Sequence, residues 1–200
     1  MRIITNSLNF VPGQNAFVLW FTGLPCSGKT TLSNQVKKEL SFYGLNLEQL
    51  DGDIVRQRKD PSLGYSKEDR MANVVDVVSQ AFYFIQNGII TLVSLISPYR
   101  MMREYARQRI GPFIEIYVRC PLEVCESRDI KGMYRLAREG KINHFTGISD
   151  PYEEPVCPEL ILETDVLTIE ESARKVMMYL KDRELIPSRP LLKNVRDINN

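Results

Sequence analysis

An apolar hexapeptide, Ala16 to Phe21 (AFVLWF), leads almost directly into the glycine-rich octapeptide Gly23 to Thr30 (GLPCSGKT). That octapeptide passes into a segment of helical spacing, with Leu32, Val36, Leu40 and Tyr43 on one stripe and Gly44 as its stop. A short run with no polar member suits a strand buried on both faces of a parallel sheet. The octapeptide fits G-x-x-x-x-G-K-[ST], whose glycines let backbone amides turn toward phosphate oxygens. In that reading Lys29 bridges the outer phosphates, Thr30 places its hydroxyl on Mg²⁺, and Thr31 reaches an inner phosphate through the helix start. The competing reading is a glycine-rich turn with an incidental lysine. The strand before the loop and the helix after it, the context the motif requires, favour a nucleoside triphosphate.

The remaining punctuation repeats the strand-and-helix rhythm. LNLEQL (residues 45–50) reads as a second strand running into the acidic turn DGD, Asp51 to Asp53. Ser66-x-x-Asp69 opens a long helix that Asn87-Gly88 ends. IITLVSLI (89–96), FIEIYV (113–118) and ELILET (159–164) read as three more strands, and Thr168-x-x-Glu171 opens a last helix to about Leu185. Five strands with intervening helices predict an α/β doubly wound fold. Two stretches break the rhythm: Gln57 to Tyr65 reads as loop, and Asp129 to Pro158, rich in glycine, proline and charge, reads as a lid or binding loop. Pro187 to Asn200 reads as a peripheral tail.

Composition bounds the function classes. Two hundred residues, 44% hydrophobic, suffice for one domain with a real core. With 26 basic against 25 acidic residues, nothing global attracts nucleic acid or an anionic membrane. Cys26, Cys120, Cys125 and Cys157 form no C-x-x-C pair, and His144 is the one histidine, which argues against a metal cage or a disulfide scaffold. The opening stretch MRIITNSLNFVPGQN lacks an export signature and no run is long enough to span a bilayer, so a soluble chain in a reducing cytoplasm is expected.

A phosphate loop names a donor and leaves the acceptor open. Asp51 and Asp53, at the carboxyl end of a strand, would project at the ligand crevice of a parallel sheet. One can hold Mg²⁺ through water while the other orients an acceptor hydroxyl; the plain alternative is a turn or helix cap. Arg70 and Asn73 share a helical face by their spacing, and with Arg56 they suggest an anionic acceptor, against a bland reading of surface pairing with Glu68 or Asp69. Tyr65 and Phe145 could sandwich a base, although aromatics are more often core. Cys26 either fills a variable loop position or is a reactive thiol at a helix start.

Six stretches occur in order: GLPCSGKTT, LDGDIVR, LGYSKEDRMANV, ISPYR, PLEVCESRDIKGMY and NHFTGISDPYEEP. Together they resemble the adenylylsulfate kinase family over about residues 15–185. The resemblance implies a single P-loop domain across residues 1–200, with a nucleoside-kinase-like three-layer fold, a mostly parallel sheet and a lid at about 129–158. It implies transfer of the γ-phosphate of MgATP to the 3′-hydroxyl of adenosine 5′-phosphosulfate (APS), giving the activated sulfate donor PAPS. It also implies a homodimer and a possible ATP sulfurylase partner. Gly23, Leu24, Pro25, Cys26, Ser27, Gly28, Lys29, Thr30 and Thr31 match the ATP loop, and Arg128 lies where the ATP base is met. Asp53 matches the carboxylate beside the acceptor hydroxyl, and Asp51 a group that organises metal waters. Arg56, Arg70 and Asn73 match positions that grip the phosphosulfate end, Tyr65 and Phe145 the adenine clamp, and Lys131 a lid lysine near the phosphates. Ile96 and Ser97 fall in the acceptor site, and Ser97 matches a serine described in the family as a phosphorylated intermediate. No conventional base adjoins Ser97 in sequence, and loose phosphoryl transfer needs no covalent stop, so the residues read Ser97 as an acceptor-site lining group.

The chain departs from the family pattern at Ile54 and Gln57, where Asn and His are frequent. Both positions neighbour the acceptor carboxylate. The departure leaves room for a kinase of another nucleotide, such as a cytidine diphosphate derivative, and from another class for a non-catalytic nucleotide-binding module. The presence of Lys29, Thr30, Asp51, Asp53, Arg70 and Lys131 argues against the module.

Overall fold

The computed structural model describes residues 16–59 and 64–191, with only the backbone described at 57–59. The opening stretch and the end of the predicted tail lie outside those residues. The elements run β1 (Val18–Thr22), α1 (Lys29–Ser41), β2 (Leu47–Asp51), α2 (Gly52–Lys59), α3 (Lys67–Gln86), β3 (Ile90–Ser94), α4 (Arg100–Ile110), β4 (Phe113–Arg119), α5 (Leu122–Arg128), α6 (Met133–Arg138), β5 (Leu160–Glu163) and α7 (Ile169–Asp182). The five strands form one sheet in the order β2-β3-β1-β4-β5, and every pair is parallel.

Parallel pairing needs a crossover on a sheet face, and both faces are covered here. Leu32, Val36 and Leu40 of α1 pack with Ala173, Val176 and Met177 of α7 against Leu19, Phe21 and Leu92. On the other face Val74, Val77 and Ala81 of α3 meet Met102 and Ala106 of α4 over Val18, Trp20 and Val93. β1 and β3 are therefore buried along their whole length, as their largely apolar sequences lead one to expect. The chain leaves β1 across one face and β3 across the other. That divergence opens a crevice at the carboxyl ends of the two strands, the place where such sheets bind ligands.

The capping signals act as read. Ser66 Oγ accepts from the Asp69 amide, and Thr168 and Glu171 form a reciprocal capping box. Four expectations shift. Residues 57–59, expected as loop, continue α2, an eight-residue helix too short to set up a helical period in the sequence. Its first turn is capped by Asp51, whose Oδ1 accepts from the Asp53 amide at 3.0 Å, so DGD is a strand end and helix start rather than a turn. The last helix ends at Asp182, before Glu184 turns to a φ of 55°. Asp129 to Pro158, expected as irregular, contains α6, whose opening amides at Tyr134 and Arg135 donate to the Asp129 carboxylate.

Candidate active site

Gly23 and Gly28 shape the loop between β1 and α1 for different reasons. A Cβ at Gly23 would lie 2.4 Å from the Val118 carbonyl oxygen, so close approach to β4 excludes any side chain. Gly28 sits at φ 97° and supplies no side-chain cap, which leaves the first amides of α1 to serve an anion. The rest of the loop is tied from outside. Tyr134 donates its hydroxyl to the Pro25 carbonyl at 3.0 Å, and Thr164 donates to the Ser27 carbonyl at 2.7 Å. Arg128, expected at the ATP base, bridges the Cys26 carbonyl at 3.4 Å and the Thr164 carbonyl at 2.7 Å. Cys26 takes a φ of 60° and packs, half-buried, beside Cys125 and Tyr134. Leu24 packs in the same cluster.

Lys29 Nζ donates to the carbonyls of Gly23 and Leu24 at 3.1 and 2.7 Å. Burial pushes its pKa down from 10.5 to about 8, against the weaker pull of Asp53 and Asp51. The next residue reaches the carboxylates: Thr30 Oγ1 donates to Asp51 Oδ2 at 2.8 Å. Across the crevice Lys131, from the segment between α5 and α6, pairs with Asp53 Oδ2 at 2.8 Å. That hydrogen bond, ahead of Coulomb attraction, raises the Lys131 pKa. Both side chains are about two-thirds exposed, so the pair contributes at most about 1 kcal/mol and opens readily. Donor loop, both carboxylates and the lid lysine thus form one chain of contacts.

Behind Asp53 the predicted acceptor residues converge. Arg56 and Arg70 place their guanidinium carbons 5.1 and 5.4 Å from the centre of the Tyr65 ring. Arg70 donates to the Tyr65 carbonyl at 2.8 Å and the His144 carbonyl at 2.9 Å, joining segments that the sequence keeps 74 residues apart. Burial first, and then Arg56, lowers the Arg70 pKa. Arg56 donates to the Gly64 carbonyl, and Asn73 to that of Gly52 at 3.3 Å. These groups reach main-chain carbonyls in place of the Glu68 or Asp69 partners of the bland reading.

Two expected side chains are elsewhere. Phe145 is 4% exposed and packs edge-on against Tyr134 with centroids 5.0 Å apart, so in this conformation it presents almost no ring face to a base. Ser97 is 2% exposed, at a φ of 39°. Its hydroxyl accepts from Trp20 Nε1 at 3.0 Å and lies 3.1 Å from Thr22 Oγ1, which itself donates to the carbonyl of half-buried Ile96 at 2.7 Å. An internal hydroxyl so engaged braces the loop after β3 and does not line an open crevice.

The sequence reading passed over Arg103, Tyr134, His144 and Thr164. Arg103, Tyr134 and Thr164 donate to backbone carbonyls and His144 offers its own carbonyl to Arg70, contacts that leave no local pattern. A cleft of about 730 Å³ beside Leu24, lined further by Tyr117, Pro121, Leu122, Gly147 and Tyr152, contains none of Lys29, Asp51 or Asp53. The reactive groups lie instead at the open end of the sheet.

The profile of the family described as "Adenylylsulphate kinase" matches residues 15–163. The chain belongs to the adenylylsulfate kinase family. An adenylyl-sulfate kinase of Halothermothrix orenii is 53% identical over 173 residues, 86% of this chain and 94% of the relative. That of Picosynechococcus is 51% identical over 164 residues, 82% and 93% of the two chains. Among solved structures, the Mycobacterium tuberculosis APS kinase CysC in complex with AMPPNP and APS matches with a TM-score of 0.80 at 37% identity, covering 84% of this chain and 98% of that one. The parallel five-stranded sheet is thus that of adenylylsulfate kinases, and the match runs through every element that carries a candidate site residue.

Proposed function

We propose that this chain transfers the γ-phosphoryl group of ATP to the 3′-hydroxyl of APS. The observation that carries the reading is the continuous contact from Thr30, next to Lys29 in the loop, through Asp51 to Asp53 and Lys131, with Arg56 and Arg70 gathered over Tyr65. Relatives about half identical over most of the chain bear the same activity in their names.

Mg²⁺ fits the residues present. Thr30 and Asp51 offer a hydroxyl and a carboxylate, hard oxygen donors of the kind Mg²⁺ takes alongside phosphates and water. No group of three or more His, Cys, Asp or Glu among the described residues forms a cage, which suits an ion brought in by its nucleotide. Thr30 would hold it directly and Asp51 through water; when bound it neutralises charge on the transferring phosphates.

The chain's own residues do the rest. Lys29 turns from the Gly23 and Leu24 carbonyls to the outer phosphates, exchanging two neutral acceptors for anionic ones. Asp53 leaves Lys131 and accepts the proton of the 3′-hydroxyl, while Lys131 follows the phosphates. Arg56 and Arg70 meet the anionic end of the acceptor. Asp53→Asn keeps the shape and removes the base. It should lower kcat by roughly 10² or more and leave ATP affinity much less changed. An equal collapse of ATP binding would make Asp53 a metal or structural residue.

A further inference from the structure

Ser94 ends β3, is 4% exposed, and its hydroxyl has no hydrogen-bond partner among the described residues. Buried hydroxyls are almost always paired, so an orphan calls for an account. Strand alternation says where it points. Leu92, two residues back, packs under α1 and α7, whereas Val93 packs into the opposite core. Ser94 therefore faces α1. The parallel register sets Ser94 opposite Asp51 on β2 and opposite Phe21 on β1. Asp51 also faces α1, since its carboxylate takes the Thr30 hydroxyl, and Gln49 two residues earlier reaches Ser33 and Asn34 of α1. The orphan hydroxyl thus lies beside the carboxylate that organises the start of α1, on the same face. The sequence hides it inside the apolar run IITLVSLI.

We propose that the Ser94 hydroxyl is a further oxygen of the metal–nucleotide site, hydrogen-bonding a water of the cation's shell beside Thr30 and Asp51. The assignment rests on reading the chain as a Mg²⁺–ATP kinase. Mg²⁺ keeps several waters, and fixed outer oxygens set their orientation and the affinity of the ion. A hydroxyl that lacks a partner in the free protein and gains one with MgATP favours the bound state. Its removal has a distinct signature. A purely structural serine would lose a bond and stability when truncated, whereas deleting an unpaired buried hydroxyl is neutral or stabilising.

The test is titration calorimetry of the full chain with ATP, once with Mg²⁺ and once with EDTA, beside thermal unfolding of the nucleotide-free protein. Ser94→Ala should weaken MgATP binding about tenfold, leave metal-free ATP binding unchanged, and leave the unfolding temperature equal or higher. Ser94→Cys keeps the volume with a poor hydrogen-bonding group and should behave alike, which covers a poorly folding alanine variant. Unchanged MgATP affinity in both variants, equal losses with and without metal, or a lowered unfolding temperature would each overturn the proposal. Should the unaltered chain bind ATP equally with and without Mg²⁺, the kinase reading itself fails, and that result is visible before any variant is made.

Discussion

Lys29 is charged at neutral pH only against the pull of its surroundings. Burial lowers its pKa from 10.5 to about 8, so between those values the unfolded chain binds more protons than the folded one, and this residue makes stability rise with pH across that window. Phosphate oxygens oppose the shift. Just above pH 8, ATP binding should therefore draw a proton onto Lys29, and affinity should fall as the pH climbs. Calorimetry in two buffers of different ionisation enthalpy reads that uptake directly; zero net uptake would contradict it. Ser97 supports a second residue-scale prediction. Ser97→Ala leaves the Trp20 N–H without its acceptor, which costs about 1–3 kcal/mol of stability. Turnover should nevertheless survive in the folded protein. Activity lost as deeply as in Lys29→Ala would restore the hydroxyl to the chemistry.

Among the elements, the segment after α6 has no helix or strand, as expected, but the sequence told least about what holds it. Its glycines, prolines and charges read as an irregular lid, yet Glu153 donates its amide to the Pro98 carbonyl at 2.8 Å and Tyr152 stacks on Tyr117 of β4. Arg103 of α4 anchors it. This guanidinium is 3% exposed, donates to the carbonyls of Ser97 and Glu153 at 2.6 Å each, and pairs with Glu115 of β4 at 2.8 Å. Arg107 extends the network to Glu159 through two 2.7 Å contacts. Arg103→Met would leave the buried Glu115 carboxylate with only its 3.5 Å contact to Arg107 and free two carbonyls, so a loss of about 3–5 kcal/mol in denaturant unfolding is expected. A loss under about 1 kcal/mol, the range of an exposed pair, would show that the segment is held by its own packing. None of this was legible in the sequence, because a long-range contact from a side chain to a carbonyl has no period. The capping signals at Ser66 and Thr168 were legible because they act over three residues.

Across the whole molecule, the buried strands told the most. AFVLWF is wholly apolar, and IITLVSLI and FIEIYV are mostly so, because both faces of the sheet are covered, and each appears as a strand within a residue or two. β2 was found with the same accuracy although only Leu50 of it is buried, since the acidic residues that end it mark the crevice. The short helices α2 and α6, of eight and six residues, escaped because neither is long enough to establish a helical period. For the candidate site, the proposed donor half falls within GLPCSGKT, eight consecutive residues. The acceptor half is gathered from α2, α3 and the stretch before Phe145, and Arg70 is the side chain that gathers it. Acceptor identity is accordingly the claim that most needs measurement, the more so because Ile54, an apolar side chain 48% exposed, directly follows Asp53. The decisive measurement is ADP release by the purified chain in MgATP with APS, and in parallel with CMP, CDP or AMP. Fast release with APS alone is the predicted result; release with one of the other nucleotides in place of APS, or with none of the four, would contradict it.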